Sequence, residues 1–202
     1  MKDDRIKEQL FRSVREALIE RNNIADSDIH VADNTPADDA ADSLFITFAQ
    51  NFTRAGGTVH YCYKESDIRE RLLEIRRQHG DINIGCASEN LAGFLTHLKV
   101  ENSEPNGSPL VAILCEALIA RQGGIVISSN LGLGTTIPAL PENTVIIAFT
   151  SQVVNDWEAA NERIKQLYPN YPDQIMMVNP NNYACRKGLQ KLYLILIEDE
   201  AT

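Results

Sequence analysis

Two uninterrupted apolar runs, Ile125–Ile127 and Val145–Phe149, stand either side of a Ser/Asn/Gly/Thr loop and a Pro-x-x-Pro step, 138–141. A strand that is apolar on both faces must be covered on both faces. That condition is met by a parallel sheet lying between helices. The stretch before them, 111–122, carries apolar residues at helical spacing and ends at Gly123-Gly124, so it reads as an amphipathic helix running into a two-glycine turn. In open sheets of this kind ligands bind where loops leave the carboxyl ends of the strands. The region therefore locates a site before it names a reaction.

The remaining chain alternates in the same way. Residues 3–22 predict an amphipathic helix, with Ile6, Leu10, Val14 and Leu18 four apart and charge elsewhere. Residues 25–43 contain Asp26, Asp28, Asp33, Asp38, Asp39 and Asp42, Pro36, and no Lys or Arg, which reads as a polar linker. From Leu44 the pattern predicts a helix to Arg54 stopped by Ala55-Gly56-Gly57, then a strand over 58–63. A helix from Ser66 to His79, a strand over 81–86 and a short helix over 88–95 follow. After a turn-rich loop, 101–109, come the helix 111–122 and the strands 125–129 and 144–149. Asn155 with Glu158 forms a capping box for a helix through Leu167, and strands over 175–178 and 192–197 complete the series. The expected organisation is an N-terminal helix and acidic linker, 1–43, ahead of one α/β domain, 44–202. Its fold class is a mostly parallel sheet covered by helices on both faces.

"ALIARQGGIVISS…LPENTVIIAFTSQVV" resembles the central signature of the LUD domain, the family of lactate-utilisation protein C. That signature is a helix ending Ile-Ala-Glu-Thr-Gly-Thr, an apolar strand, a loop, then Leu-Pro-x-x-His-Ile and a second strand. Order, spacing and apolar pattern agree here, with weaker agreement over roughly 44–197. Arg121 and Gln122 stand where the family usually has Glu-Thr, Gly124 where it has Thr, and Thr144 where His is common. The resemblance implies a fold similar to that of CoA transferases and sugar-phosphate isomerases.

Candidate site residues come from the loops that follow strands. Gly132-Leu133-Gly134-Thr135-Thr136, after Asn130, offers backbone N–H groups and neutral hydroxyls suited to an anion, and resembles the phosphate loop of ribose-phosphate isomerases. Ser88-Glu89-Asn90 resembles the Ser-Glu-Asn-Gly of some CoA transferases. The residues also suit a helix start, with Ser88 as N-cap and Glu89 favouring the dipole. Lys64–Glu65 and Thr150–Gln152 are expected at the same crevice. The candidate ligand-binding set is Ser88, Glu89, Asn90, Asn130, Gly132, Gly134, Thr135 and Thr136, and the ligand class a small carboxylate or phosphate.

Bulk properties narrow the function. At 202 residues with 44% apolar and 23% charged content, the α/β domain buries a substantial core unaided. A net charge of −9 argues against nucleic acid as a partner, because phosphate affinity needs clustered Lys and Arg. No run is long enough to span a membrane, and MKDDRIKEQLF has no secretory apolar core, so a cytoplasmic protein is expected. Cys62, Cys86, Cys115 and Cys185 are widely spaced with no C-x-x-C pair, so no metal site and no cofactor in this chain are expected. His60 and Cys62 share one strand face by period-2 spacing, which suits a buried face better than a metal site. The resemblance implies an accessory subunit in lactate utilisation, beside iron–sulfur proteins that oxidise L-lactate to pyruvate. A free-standing protein or enzyme that binds a small anionic metabolite is the alternative, and a fold with a decayed site is a third.

Overall fold

The computed structural model describes residues 37–131, 140–181 and 191–198, with only the backbone course given for 37–43. The expected helix over 3–22, the candidates Gly132, Gly134, Thr135 and Thr136, and Cys185 lie outside the described residues.

The elements in chain order are α1 (Ala37–Arg54), β1 (Thr58–Cys62), α2 (Glu65–Gln78), β2 (Ile84–Cys86), α3 (Glu89–His97), β3 (Asn102–Ser103) and β4 (Leu110–Leu114). There follow β5 (Ala117–Ile119), β6 (Gly124–Ser128), β7 (Asn143–Phe149), β8 (Val153–Val154), α4 (Trp157–Leu167), β9 (Ile175–Val178) and β10 (Lys191–Ile197). A six-stranded sheet in the order β1-β10-β7-β4-β2-β3 is parallel at every pairing. It is the mostly parallel α/β sheet that the apolar strands predict.

Side chains alternate along its central strands. Val145, Ile147, Tyr193 and Ile195 point to a layer formed with Ile68, Leu72 and Ile75 of α2 and Phe94 and Leu95 of α3. Ile146, Ala148, Leu194 and Leu196 point the other way, onto Phe48 and Phe52 of α1 and onto a second sheet. Phe48 and Phe52 are fully buried, each contributing about 1.5–3 kcal/mol of apolar transfer, enough to fix α1 against the sheet.

The second sheet, β8-β5-β6-β9, was not legible beforehand. β6 is antiparallel to both β5 and β9, while β8 is parallel to β5. It sits between the large sheet and α4, whose Ala160 and Ile164 pack on Ala117, Ile119 and Val126. The helix expected over 111–122 is therefore replaced by two strands, and the strand near 125–129 leaves the parallel sheet. The physical reason is that Leu110 to Ile119 is almost continuously apolar, and such a run fits a buried strand as well as a buried helix. Gly123 closes the β5–β6 hairpin at φ +56. Asn51 of α1 clamps the hairpin by donating to the Ala120 carbonyl at 2.9 Å and the Arg121 carbonyl at 3.3 Å.

Smaller shifts have local causes. α1 begins at Ala37, seven residues before the expected start at Leu44, so it takes in the end of the stretch expected as linker. Lys64, ahead of the expected Ser66, caps α2, because Asp67 reaches back to the Lys64 backbone N–H at 3.2 Å. Asp156, one residue beyond Asn155, caps α4 by accepting from Ala159 N at 3.0 Å.

Candidate functional site

Strands β1, β10, β7, β4 and β2 end at Cys62, Ile197, Phe149, Leu114 and Cys86, all on one edge of the parallel sheet. Over that edge lies the start of α3. Ser88 caps it as expected, its hydroxyl accepting from Leu91 N at 3.2 Å, with Glu89 in the first turn. Asn90, Leu91 and Phe94 face Leu114, Ile147, Phe149 and Ile197 across an apolar cleft. Its free volume is about 10 Å³, room for roughly one water. Glu89 and Asn90 are exposed at its rim, and Ser88 is half-buried.

Asn130 reaches the same end of β4 by another route. It follows β6, in the second sheet, rather than a strand of the parallel sheet. Its backbone N–H donates to Ser128 Oγ at 3.2 Å, and Ser128 Oγ donates to the Glu116 carboxylate. Glu116 lies two residues beyond Leu114. Ser88–Asn90 and Asn130 thus both stand at the carboxyl end of β4. Lys64–Glu65 and Thr150–Gln152 occupy the carboxyl ends of β1 and β7, the edge expected for them.

At that edge a buried polar knot forms around Glu116, which is 3% exposed, and Ser128, which is wholly buried. Tyr168 Oη donates to the Glu116 carboxylate at 2.7 Å. Glu116 N donates to the Val126 carbonyl at 2.8 Å. The Glu116 carbonyl accepts from Arg163 Nε at 3.1 Å, and Arg163 Nη1 donates to the Ser151 carbonyl at 3.3 Å. Gln152 closes the gap between β7 and β4: its Oε1 accepts from Phe149 N at 2.7 Å, and its Nε2 donates to the Cys115 carbonyl at 2.7 Å. A buried carboxylate stays in place only when donors satisfy it, and the two hydroxyls both donate to its Oε1.

A serine hydroxyl on a carboxylate has the partners of an activated nucleophile, but Ser128 has no solvent-facing surface for a substrate to approach. The knot is a positioning device. It holds the turn from β4 into β5, the end of β6 and the segment after α4 as one unit. A helix over 111–122 would place Glu116 among helical neighbours, so the cluster is not visible in the sequence. The available signal was a carboxylate inside an apolar run, a residue type that is buried only with partners.

The thiols are held protonated. Burial pushes Cys62 up to about 11 and Cys86 up to about 12, and raises Cys115 as well, with the neighbouring Glu116 carboxylate adding to it. Thiolate is the form that ligates metals and attacks disulfides, so these three are poor at both. Cys62 packs in the α2 layer, and His60, on the same strand face, feels the charges of Arg71 and Glu74 of α2. Among the described residues no group of three His, Cys, Asp or Glu side chains is placed to hold a metal ion. Among them, too, no helix is long and apolar enough to cross a membrane.

No family model matches the sequence, and no curated protein does. Among solved structures the fold is similar to that of a DUF162 family protein from Deinococcus radiodurans, a family of LUD-domain type. The two share 14% identity with a TM-score of 0.58, over 78% of this chain and 98% of that one. At this identity the likeness is one of fold.

Proposed function

We propose that this chain is a LUD-type accessory subunit in lactate utilisation, acting in the cytoplasm beside iron–sulfur proteins that oxidise L-lactate to pyruvate. The observation that carries the reading is the coincidence of two likenesses. The sequence around 117–154 resembles the LUD signature, and the fold is similar to a DUF162 family structure along nearly that protein's whole length. The chemistry of the chain agrees with such a role. Cys62, Cys86 and Cys115 are buried and held protonated, and the Glu116 carboxylate is engaged internally, so in this reading the redox centres reside in the partners. Affinity purification of the tagged chain from its own cells tests this. Cysteine-rich iron–sulfur proteins should co-purify in fixed ratio and carry L-lactate-dependent dye reduction. Recovery of the chain alone, with lactate oxidation in the unbound fraction, contradicts it.

A second reading is favoured by one feature of the carboxyl edge: the N-terminus of α3 opens beside the cleft at Leu114, with Ser88, Glu89 and Asn90 at its rim. This reading is a small carboxylate or phosphate held at that edge, Asn130 and the segment Gly132–Thr136 completing the site. Titration calorimetry with L-lactate, pyruvate and inorganic phosphate distinguishes them. Saturable binding lost in Ser88→Ala supports an anion site, and the absence of heat with all three rejects it.

A further inference from the structure

The loop 104–109 carries the chain's single Asn-Gly pair, Asn106-Gly107, and the structure presents it in the open. Both residues are exposed. They are the central pair of a turn closed by Ser108 N donating to the Pro105 carbonyl at 3.2 Å, with Gly107 at φ +77. Among the described residues the Gly107 N–H donates to no backbone carbonyl. Gly107 also lacks a side chain, so nothing shields its nitrogen from the Asn106 side chain. Asn102, four residues earlier and followed by Ser103, is held quite differently. Its Nδ2 donates to Thr96 Oγ1 at 3.0 Å, the Ala92 carbonyl at 3.3 Å and the Val100 carbonyl at 3.4 Å.

We propose that Asn106 is a site of spontaneous amide-to-acid conversion, with Gly107 as the intramolecular nucleophile. The Gly107 nitrogen attacks Asn106 Cγ. The new N–Cγ bond closes a five-membered succinimide, and the Cγ–Nδ2 bond breaks. The amide proton leaves with Nδ2 as ammonia, and no oxidation or reduction occurs. Water then opens the ring at either carbonyl, giving aspartate or isoaspartate at position 106.

The product matters to the fold because the turn is packed. A Cβ at Gly85 of β2 would stand 2.9 Å from Pro105 Cα and 2.8 Å from Ser108 Cβ. Ser108 Oγ donates to the Leu110 carbonyl at 2.8 Å, tying the turn to the start of β4. Isoaspartate adds a methylene to the main chain between the two packed ends of the turn, Pro105 and Ser108, and either product adds a negative charge two residues from Glu104. The inference is independent of the functional reading above.

Ageing the full chain at mildly alkaline pH and 37 °C tests it, with isoelectric focusing, peptide mapping and isoaspartyl methyltransferase labelling as readouts. The expected result is an acidic shift of one charge, methyl label on the peptide holding position 106, and loss of both in Asn106→Gln, whose longer side chain disfavours ring closure. The isoaspartyl fraction should also melt below fresh protein. Retention of the Asn106 amide while Asn102 or another site converts first overturns the proposal. So does an Asn106→Gln variant that acidifies as fast as the parent, and an isoaspartyl fraction of unchanged Tm overturns the structural consequence.

Discussion

Glu116 is the residue at which the chain leaves one sheet for another, and it does so with its carboxyl group inside the protein. Its carboxylate accepts from Ser128 Oγ and Tyr168 Oη, so the loss of either hydroxyl leaves a buried acceptor short of a donor. Tyr168→Phe, which keeps the ring, should cost about 1–3 kcal/mol in urea unfolding, and Ser128→Ala a similar amount. A cost below about 0.5 kcal/mol for both would mean the knot is not what holds the β4–β5 turn. At this scale the sequence was partly readable. Ser88 was legible as a cap because a Ser before an apolar helical pattern has a local reason to be there. The Glu116 cluster was not, because its members lie at 116, 128, 152, 163 and 168, and only the tertiary fold brings such distant positions together.

Among the elements, strands β7, β9 and β10 and helices α2 and α3 lie close to where the apolar periodicity puts them. Their patterns are short, bounded by polar or glycine residues, and of one period each. The β4–β5 segment escaped, and β6, legible as a strand, was not placed in its antiparallel sheet, because these strands are buried on both faces and β4 and β5 are joined through one buried carboxylate. The segment offers neither an alternating pattern nor a turn dipeptide before Gly123. Gly123 carries much of that hairpin's tolerance for close packing. A Cβ there would stand 2.5 Å from Phe52 N and 2.7 Å from Asn51 C, both backbone atoms of α1, at a φ that disfavours side chains. Gly123→Ala should therefore destabilise by about 2–5 kcal/mol, combining backbone strain with overpacking, as read from the urea midpoint. A near-neutral Gly123→Ala would show that α1 does not rest on this turn. The candidate loops fare unevenly for a related reason. Ser88–Asn90 follows a strand of the parallel sheet, as assumed, whereas Asn130 follows an antiparallel strand and reaches the same edge only through Ser128.

Stability of the whole molecule should depend on two histidines. Burial lowers the pKa of His60, with Arg71 adding to it, and burial lowers that of His79, with Lys191 adding to it. For a base whose folded pKa is depressed, the unfolded chain takes up protons first. The stabilisation is complete above the ordinary histidine value of about 6.5 and is lost as pH falls through it toward the folded values. The urea midpoint should fall between about pH 7.5 and about pH 5.5. A His60→Asn, His79→Gln double variant should lose part of that slope, and an identical slope would assign it to carboxylates instead. His79 Nε2 also meets Tyr193 Oη at 2.9 Å, so the glutamine, which retains a hydrogen-bonding end, is the fairer replacement there.

The molecule's fold class was legible because long apolar strands such as β7 and β10 admit few alternatives to a covered parallel sheet. The second sheet was hidden, and the likeness to a DUF162 family structure, at 14% identity, is one of fold. The role proposed for this chain is that of an accessory subunit of lactate oxidation. The most direct measurement is the rate of L-lactate-dependent dye reduction in extracts of cells lacking this chain, before and after adding the purified protein. The predicted result is a rate that falls in the deletion and is restored by stoichiometric add-back, with no activity from the chain alone. An extract that oxidises L-lactate equally well with and without the chain would contradict it.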